Sequence, residues 1–316
     1  MYKDKIIEFL SIYSKIIEIL EIIIIILIGV AYITLAERKV MGSMQRRKGP
    51  NIVGIYGILQ PMADGIKLVI KEIIIPQQSN KIFFMLGPIL TLTLSLIIWI
   101  PLPFGINSVI YENEYGILYV LAISTLSVFI LLYSGWASFS RYAFIGAIRA
   151  IAQLISYEVS MGILVISILL LNNSFNFLEI LYNQIYVPNI IALFPLFILF
   201  FISALAETNR PPFDLAEAES ELIAGYIVEY GGMSFAAIYL AEYAFIQSMS
   251  VLTTILFLGT TNPFFGTIFI IFGFIWIRAT LPRTRYTDLM SLGWVKILPF
   301  SISYIIFVYS FLLLLN

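Results

Sequence analysis

The amino-acid sequence predicts an all-α, polytopic membrane protein with about eight transmembrane helices and an interfacial amphipathic helix in the first inner loop. Composition is the first reason: 60% of the 316 residues are hydrophobic, 12% are charged, and the mean hydropathy is +0.98. Soluble domains carry about 25% charged residues, so a chain this apolar needs lipid as its solvent. The other reasons are the long apolar runs and the placement of basic residues. We expect residues 1–316 to form a single integral membrane domain.

Eight apolar runs approach the roughly 20 helical residues that a bilayer crossing requires. They lie at about 16–36, 82–100, 117–139, 151–171, 189–206, 226–258, 264–281 and 295–315. The seventh run is short. The sixth is overlong, so we expect part of it to project past the bilayer or to tilt.

Basic residues alternate from loop to loop. Fifteen of the 18 Lys and Arg residues lie in or beside the loops 37–81, 140–150, 207–225 and 282–294. The loops 101–116, 172–188 and 259–263 contain none. Because basic residues collect on the inner side of a membrane, the first set is predicted to face inside and both termini outside. The mixture of Lys with Asp and Glu in residues 1–15 predicts no cleavable targeting peptide.

The first inner loop contains a stretch with helical amphipathic spacing. Apolar residues recur at spacings of three and four, and polar residues do the same on another face. The apolar set is Leu59, Met62, Ile66, Ile70 and Ile73, and the polar set is Gln60, Asp64, Lys67 and Lys71. This pattern predicts a helix at about 56–75 lying in the membrane interface. The alternative is a helix that packs on a soluble partner.

The sequence contains no cysteine and no histidine. The usual ligands of haem, iron–sulfur clusters and zinc are therefore missing, and we predict no metal site. Proton chemistry must use carboxylates, Lys, Arg or Tyr. Electron chemistry must use a cofactor held by a partner.

Carboxylates within or beside the apolar runs are the first candidates for function. Glu158 lies inside the fourth run and Glu242 inside the sixth, whereas Glu37, Glu207 and Glu229 lie at the ends of runs. Ionisable residues in spans are costly, and a carboxylate removed from water can hold and release a proton. The alternatives are an ion pair for the two inner residues and contact with water for the three at the ends.

The loop 207–225 is the richest in charge. Five acidic residues fall within residues 207–221, and Arg210 is their only basic neighbour there. A helix that starts at Pro211 and Pro212 would place three of the acids on one stripe and Glu219 elsewhere. The three are Asp214, Glu217 and Glu221. Crowded carboxylates favour proton handling or cation binding. The alternative is a solvated face, because acids are common in the first turn of a helix.

Several blocks of sequence carry a family resemblance. They are AERKVMG at 36–42, QRRKGPN at 45–51, LQPMADGIKL at 59–68, ISYEVS at 155–160, the stretch 206–230, and PRTRY at 282–286. In this order they resemble subunit 1 of mitochondrial NADH:ubiquinone oxidoreductase, respiratory complex I. The resemblance implies a core membrane subunit that forms the tunnel through which ubiquinone enters. It also implies the first carboxylates of the path that couples quinone reduction to proton translocation.

The same resemblance implies site residues, position by position. The residues implied for the proton relay are Glu158, Glu207, Asp214, Glu217, Glu219, Glu221, Glu229 and Glu242. The residues implied for the quinone tunnel are Glu37, Arg38, Asp64, Arg210, Phe213, Arg278 and Arg283. Two departures stand out. The outer loop 259–263 is short, and Ile227 occupies a position where relatives often carry Asn.

The resemblance also implies partners and place. Ubiquinone is the expected substrate, with FMN and iron–sulfur clusters only in partner subunits and no cofactor bound by this chain. Expected partners are the hydrophilic-arm subunits at the quinone site, neighbouring membrane-arm subunits and lipid, without nucleic acid. The expected location is the mitochondrial inner membrane, with both termini on the intermembrane-space side. The alternatives are an ion-conducting subunit of a related energy-converting hydrogenase and a stand-alone proton or cation transporter.

Overall fold

The described part of the chain is a helical bundle. The computed structural model describes residues 2–105, 109–214, 225–259 and 263–315, with side chains between Lys15 and Leu314. Twelve α-helices lie in these ranges: α1 Tyr2–Met44, α2 Gln60–Ile70, α3 Lys81–Ile97, α4 Gly116–Ala137, α5 Arg141–Asn172, α6 Phe177–Asn183, α7 Asn189–Ala192, α8 Phe194–Glu207, α9 Gly232–Thr253, α10 Pro263–Thr280, α11 Tyr286–Ser291 and α12 Leu298–Leu315. Short 3₁₀ turns occur at Ile55–Gly57 and Gly225–Ile227, and π-helical turns at Thr254–Leu258 and Leu292–Ile297.

The apolar helices confirm the predicted polytopic, all-α class. Six helical stretches in the described residues are long and apolar enough to cross a membrane. Two shorter apolar helices, α3 with 17 residues and α8 with 14, supply the second and fifth of the predicted runs. The fifth run is divided at Leu193, where the backbone leaves the helical region and α7 gives way to α8.

Three boundaries differ from those predicted. The loop predicted at 140–150 is helical, because α5 begins at Arg141, where the Ser140 hydroxyl accepts a hydrogen bond from the Ala143 amide at 3.2 Å. The sixth predicted run becomes α-helical only at Gly232, whose φ of +60° is not compatible with a regular helix continuing through it. The amphipathic helix α2 covers only Gln60–Ile70, since Lys71 has an extended backbone.

Helices α5 and α9 lie in the interior of the bundle. Helix α9 packs against α1, α3 and α10, and α5 packs against α4, α8 and α12. Large side chains such as Tyr157 and Phe257 are fully buried in the core. Because Glu158 lies on α5 and Glu242 on α9, the two central helices carry both of the carboxylates predicted inside spans.

Helix α2 differs from the others because none of its residues is buried. Its apolar side chains Met62, Ile66 and Ile70 are exposed in this chain. An apolar face of this kind requires a cover, which both alternatives for the amphipathic stretch would supply. Its location at the membrane surface stays a prediction.

Candidate functional site

Glu37, near the end of α1, is the centre of a buried ion cluster. Its side chain is 5% exposed. Arg210 donates from Nη1 to Glu37 Oε1 at 3.2 Å, and Arg278 donates to the same oxygen. The Tyr243 hydroxyl donates to the other oxygen, Oε2, at 2.6 Å. We call these four residues, from α1, the segment after α8, α9 and α10, the Glu37 cluster.

Two guanidinium groups meet one carboxylate in the Glu37 cluster. The Arg210 guanidinium also lies 4.2 Å from the centre of the Tyr243 ring, which is a cation–π contact. Buried charges require pairing of this quality, since removing one partner leaves the other without water or counter-charge. The cluster therefore fixes α1, α9 and α10 to the segment that follows α8.

An apolar slot leads to the Glu37 cluster. It has an empty volume of about 300 Å³. Besides the four cluster residues, it is lined by Ile33, Ile246, Ile271, Phe274 and Ile275. Apolar walls with a few converging polar groups at one end are typical of sites for apolar ligands that carry a polar head.

Arg38 and Asp64 form a separate, more exposed pair. Arg38 donates to Asp64 Oδ2 at 2.6 Å, and Gln60 donates to Asp64 Oδ1 at 2.9 Å. The side chains of Arg38 and Asp64 are 52% and 38% exposed, respectively. Glu37 and Arg38 are adjacent in sequence. Glu37 lies at the centre of the buried cluster, whereas Arg38 connects α1 to α2 through Asp64.

A second cavity, the carboxylate cleft, lies beside α9. Its empty volume is about 560 Å³. The lining residues include the carboxylates Glu207 and Glu242 and the polar residues Thr91, Ser127, Thr208, Asn209 and Tyr226. The Tyr226 hydroxyl donates to Glu242 Oε1 at 2.8 Å. Glu207 Oε2 and Asn209 Oδ1 are buried and have no hydrogen-bond partner among the described residues.

Glu158 lies within electrostatic range of Glu207. Its Oε1 oxygen is 3.4 Å from the Ser124 hydroxyl of α4. Glu207 and Glu242 thus line one cleft, and Glu158, which does not line it, lies close enough to influence Glu207.

Residues 207–214 form a folded segment held from two sides. Gln153 of α5, fully buried, donates to the carbonyl oxygens of Ala206 and Phe213 at 2.9 and 2.8 Å. Arg283 donates to Asp214 Oδ2 at 3.0 Å. Residues 211–214 are not helical, so a helix that starts at Pro211 and Pro212, as predicted, is not present there.

Some predicted residues lie apart from the two cavities. Phe213 is buried with its ring centre 5.9 Å from that of Tyr157, and it does not line the apolar slot. Glu229, half-buried, lies between the 3₁₀ turn and α9 rather than within the helix, and it does not line the carboxylate cleft. Glu217, Glu219 and Glu221 lie outside the described residues.

The geometry adds residues that sequence reasoning did not select as candidates. Tyr243, Tyr226, Gln153, Asn209 and Ser124 each contact a candidate residue or line a cleft with one. A Tyr or Gln near a carboxylate in an apolar run could have indicated a site residue from the sequence, whereas a single Ser could not. No cluster of metal-ligating side chains occurs in the described ranges.

Comparison with known proteins gives a consistent family. A family model described as NADH dehydrogenase matches residues 17–309. NADH-ubiquinone oxidoreductase chain 1 of Chondrus crispus is 51% identical, covering 96% of this chain and 98% of that protein. The protein of the same name from Metridium senile is 52% identical over 95% of this chain and 94% of its own. An NADH-quinone oxidoreductase subunit of Paramagnetospirillum magneticum is 47% identical, covering 94% of this chain and 92% of that protein.

Proposed function

This chain belongs to the family of complex I subunit 1, a membrane subunit of NADH-quinone oxidoreductase, and we propose that it houses the quinone and begins the proton path. One observation supports both roles. Glu207, Thr208 and Asn209 line the carboxylate cleft, and the next residue, Arg210, lines the apolar slot. A change in one cavity is therefore transmitted to the other through a single peptide segment.

The apolar slot is suited to guide a quinone. Its isoleucine and phenylalanine side chains match an isoprenoid tail, and the Glu37 cluster offers donors to the oxygens of a head group. The quinone is proposed to enter from the bilayer between α1, α2 and α9, with Arg38, Asp64 and Arg283 supporting that route. Phe213 is proposed to support the quinone route indirectly, because its ring packs near Tyr157 and so anchors the segment that carries Arg210.

The electrons are proposed to come from partner subunits. Reduction of a quinone to a quinol takes two electrons and two protons, and this chain has no Cys or His to hold an iron–sulfur cluster. FMN and iron–sulfur clusters are accordingly assigned to hydrophilic-arm partners, with membrane-arm subunits and lipid around the remaining surface. Negative charge arriving on the quinone head would attract Arg210 and Arg278, and so weaken their hold on Glu37.

The proton path is proposed to start in the carboxylate cleft. Displacement of Arg210 pulls on Asn209 and Glu207, which changes the field at Glu158 and Glu242. These carboxylates then exchange protons along the membrane arm. Asp214 and Glu229, together with Glu217, Glu219 and Glu221, complete the proposed relay. The inner membrane of mitochondria, with both termini in the intermembrane space, is the proposed location.

The test is a Glu158→Gln variant in the intact enzyme complex. We expect normal assembly, retained NADH oxidation and loss of quinone-coupled proton pumping, because glutamine keeps the shape of the carboxyl group but cannot carry its proton. Glu114→Gln, an exposed carboxylate in the loop before α4, is the matched control and should pump normally. Unchanged pumping in Glu158→Gln contradicts the relay.

A further inference from the structure

Ser124 is a buried hydroxyl of α4 that faces the carboxylate of Glu158 on α5. It is 1% exposed. Its Oγ lies 3.4 Å from Glu158 Oε1 and 2.8 Å from the carbonyl oxygen of Leu121, three residues earlier on the same helix. Helices α4 and α5 pack against each other, which brings Ser124 and Glu158 together.

The hydroxyl has one proton and two competing acceptors. The hydroxyl can donate to either oxygen, and when it donates to Leu121, at the shorter distance, its lone pairs are left to accept from Glu158. A neutral Glu158 can donate its own proton to those lone pairs. An ionised Glu158 can only accept, so Ser124 must turn its O–H bond away from Leu121 toward the carboxylate. The same hydroxyl thus satisfies both protonation states of Glu158.

The same turn of α4 borders the carboxylate cleft. Ser127, one turn after Ser124, lines the cleft that contains Glu207 and Glu242. The Ser127 hydroxyl donates to the main-chain carbonyl of Ser124 at 2.7 Å. Ser124 is therefore fixed to the wall of the cleft while its side chain contacts Glu158.

We infer that Ser124 is a positioning residue for Glu158, whose hydroxyl reverses its hydrogen bond when that carboxyl group gains or loses a proton. Without this partner, the carboxyl group would lose this hydrogen bond in both states, at a greater cost to the ionised state, which slows its ionisation. The inference rests on the proposed relay role of Glu158, and it adds the group that keeps both states available.

Infrared difference spectra of the intact complex, recorded on reduction by NADH, test the contact directly. Glu158→Gln identifies the carbonyl band of the protonated Glu158 by removing it. Ser124→Ala should move that band to higher frequency, because the acid loses its hydrogen-bond acceptor. Ser134→Ala is the matched control, since Ser134 is an equally buried α4 serine that bonds the Leu131 carbonyl at 2.9 Å and has no carboxylate contact among the described residues.

Turnover measurements provide the functional readout. Ser124→Ala should reduce the rate of quinone-coupled proton pumping about two- to tenfold, the loss expected for one hydrogen bond. Ser124→Thr keeps a hydroxyl in the same place and should restore both the rate and the band position. Ser134→Ala should change neither. A band that stays at its wild-type frequency in Ser124→Ala, or that moves equally in Ser134→Ala, overturns the inference.

The two proposals fail in different ways. If Glu158→Gln removes no band and pumping continues, the relay role of Glu158 is wrong, and the inference falls with it. If Glu158→Gln removes a band that Ser124→Ala does not move, only the role of Ser124 is wrong.

Discussion

The side chain of Glu37 joins several elements of the fold. It pairs with Arg210 and Arg278 and accepts from Tyr243, so a change of one atom affects three helices and one loop segment. The sequence made Glu37 a candidate because a carboxylate at the end of an apolar run is conspicuous. The convergence of two arginines on it could not be read from the chain, since they lie 173 and 241 residues away.

Glu37→Gln should destabilise the subunit by roughly 3 kcal/mol, because two partly buried guanidinium groups lose a shared carboxylate. The same carboxylate-to-amide change at Asp64, in the exposed pair with Arg38, should cost about 0–1 kcal/mol. Thermal unfolding of the purified complex, monitored by the release of this subunit, measures the effect of each substitution. Equal effects of the two substitutions would contradict the central role of Glu37.

Tyr243→Phe separates the two contacts of the tyrosine. The ring remains stacked on Arg210, whereas the hydrogen bond to Glu37 is lost. A hydrogen bond to a charged group contributes about 1.5–3 kcal/mol, so we expect a KM for quinone raised about tenfold or more with assembly intact. Tyr133→Phe, an exposed tyrosine of α4, is the control. An unchanged KM in Tyr243→Phe would show that the phenol does not shape the slot.

At the scale of elements, the sequence located the helices better than their ends. Hydropathy identified each apolar run, because burial in lipid depends on composition summed over many residues. The start of α5 at Arg141 and the late start of α9 depend instead on a cap and on a positive φ, which single residues decide. The division of the fifth run at Leu193 is likewise decided locally, by the backbone angles of one residue.

Helix α5 carries a glycine at its contact with the 3₁₀ turn Gly225–Ile227. A Cβ at Gly146 would lie 3.0 Å from Gly225 Cα and 3.2 Å from the Tyr226 amide nitrogen, both main-chain atoms. Gly146→Ala should therefore displace Tyr226, weaken its bond to Glu242 and lower pumping per quinone reduced. Gly162→Ala on the same helix has no neighbour within 4 Å in the described chain and should be neutral or slightly stabilising. The ratio of protons pumped to quinone reduced is the measurement, and equal ratios would refute the effect.

At the scale of the whole molecule, the apolar composition predicted the class of the architecture correctly. Six long and two shorter apolar helices are present in the described residues. Which residues would meet in the interior could be anticipated only in part, because helix packing is set by side chains far apart in sequence. Glu207 and Glu242 share a cleft, whereas Glu229 does not line it.

The natural absence of cysteine makes the membrane topology directly testable. Single cysteines at Lys48, after α1, and at Glu114, before α4, both lie at exposed positions. We expect a membrane-impermeant maleimide to label them from opposite sides, because the charge pattern places these loops on opposite faces. Labelling of permeabilised membranes gives the maximum for each site. Labelling of both from one side would reject the predicted orientation.

The adjacency of Glu207, Thr208, Asn209 and Arg210 has a genetic consequence. Four consecutive codons specify lining residues of two cavities for which different tasks are proposed. A substitution selected there for altered quinone or inhibitor affinity should also change the energy yield of respiration. Natural variation at these codons is therefore expected to be constrained by two traits at once, and resistance acquired there should carry a growth cost.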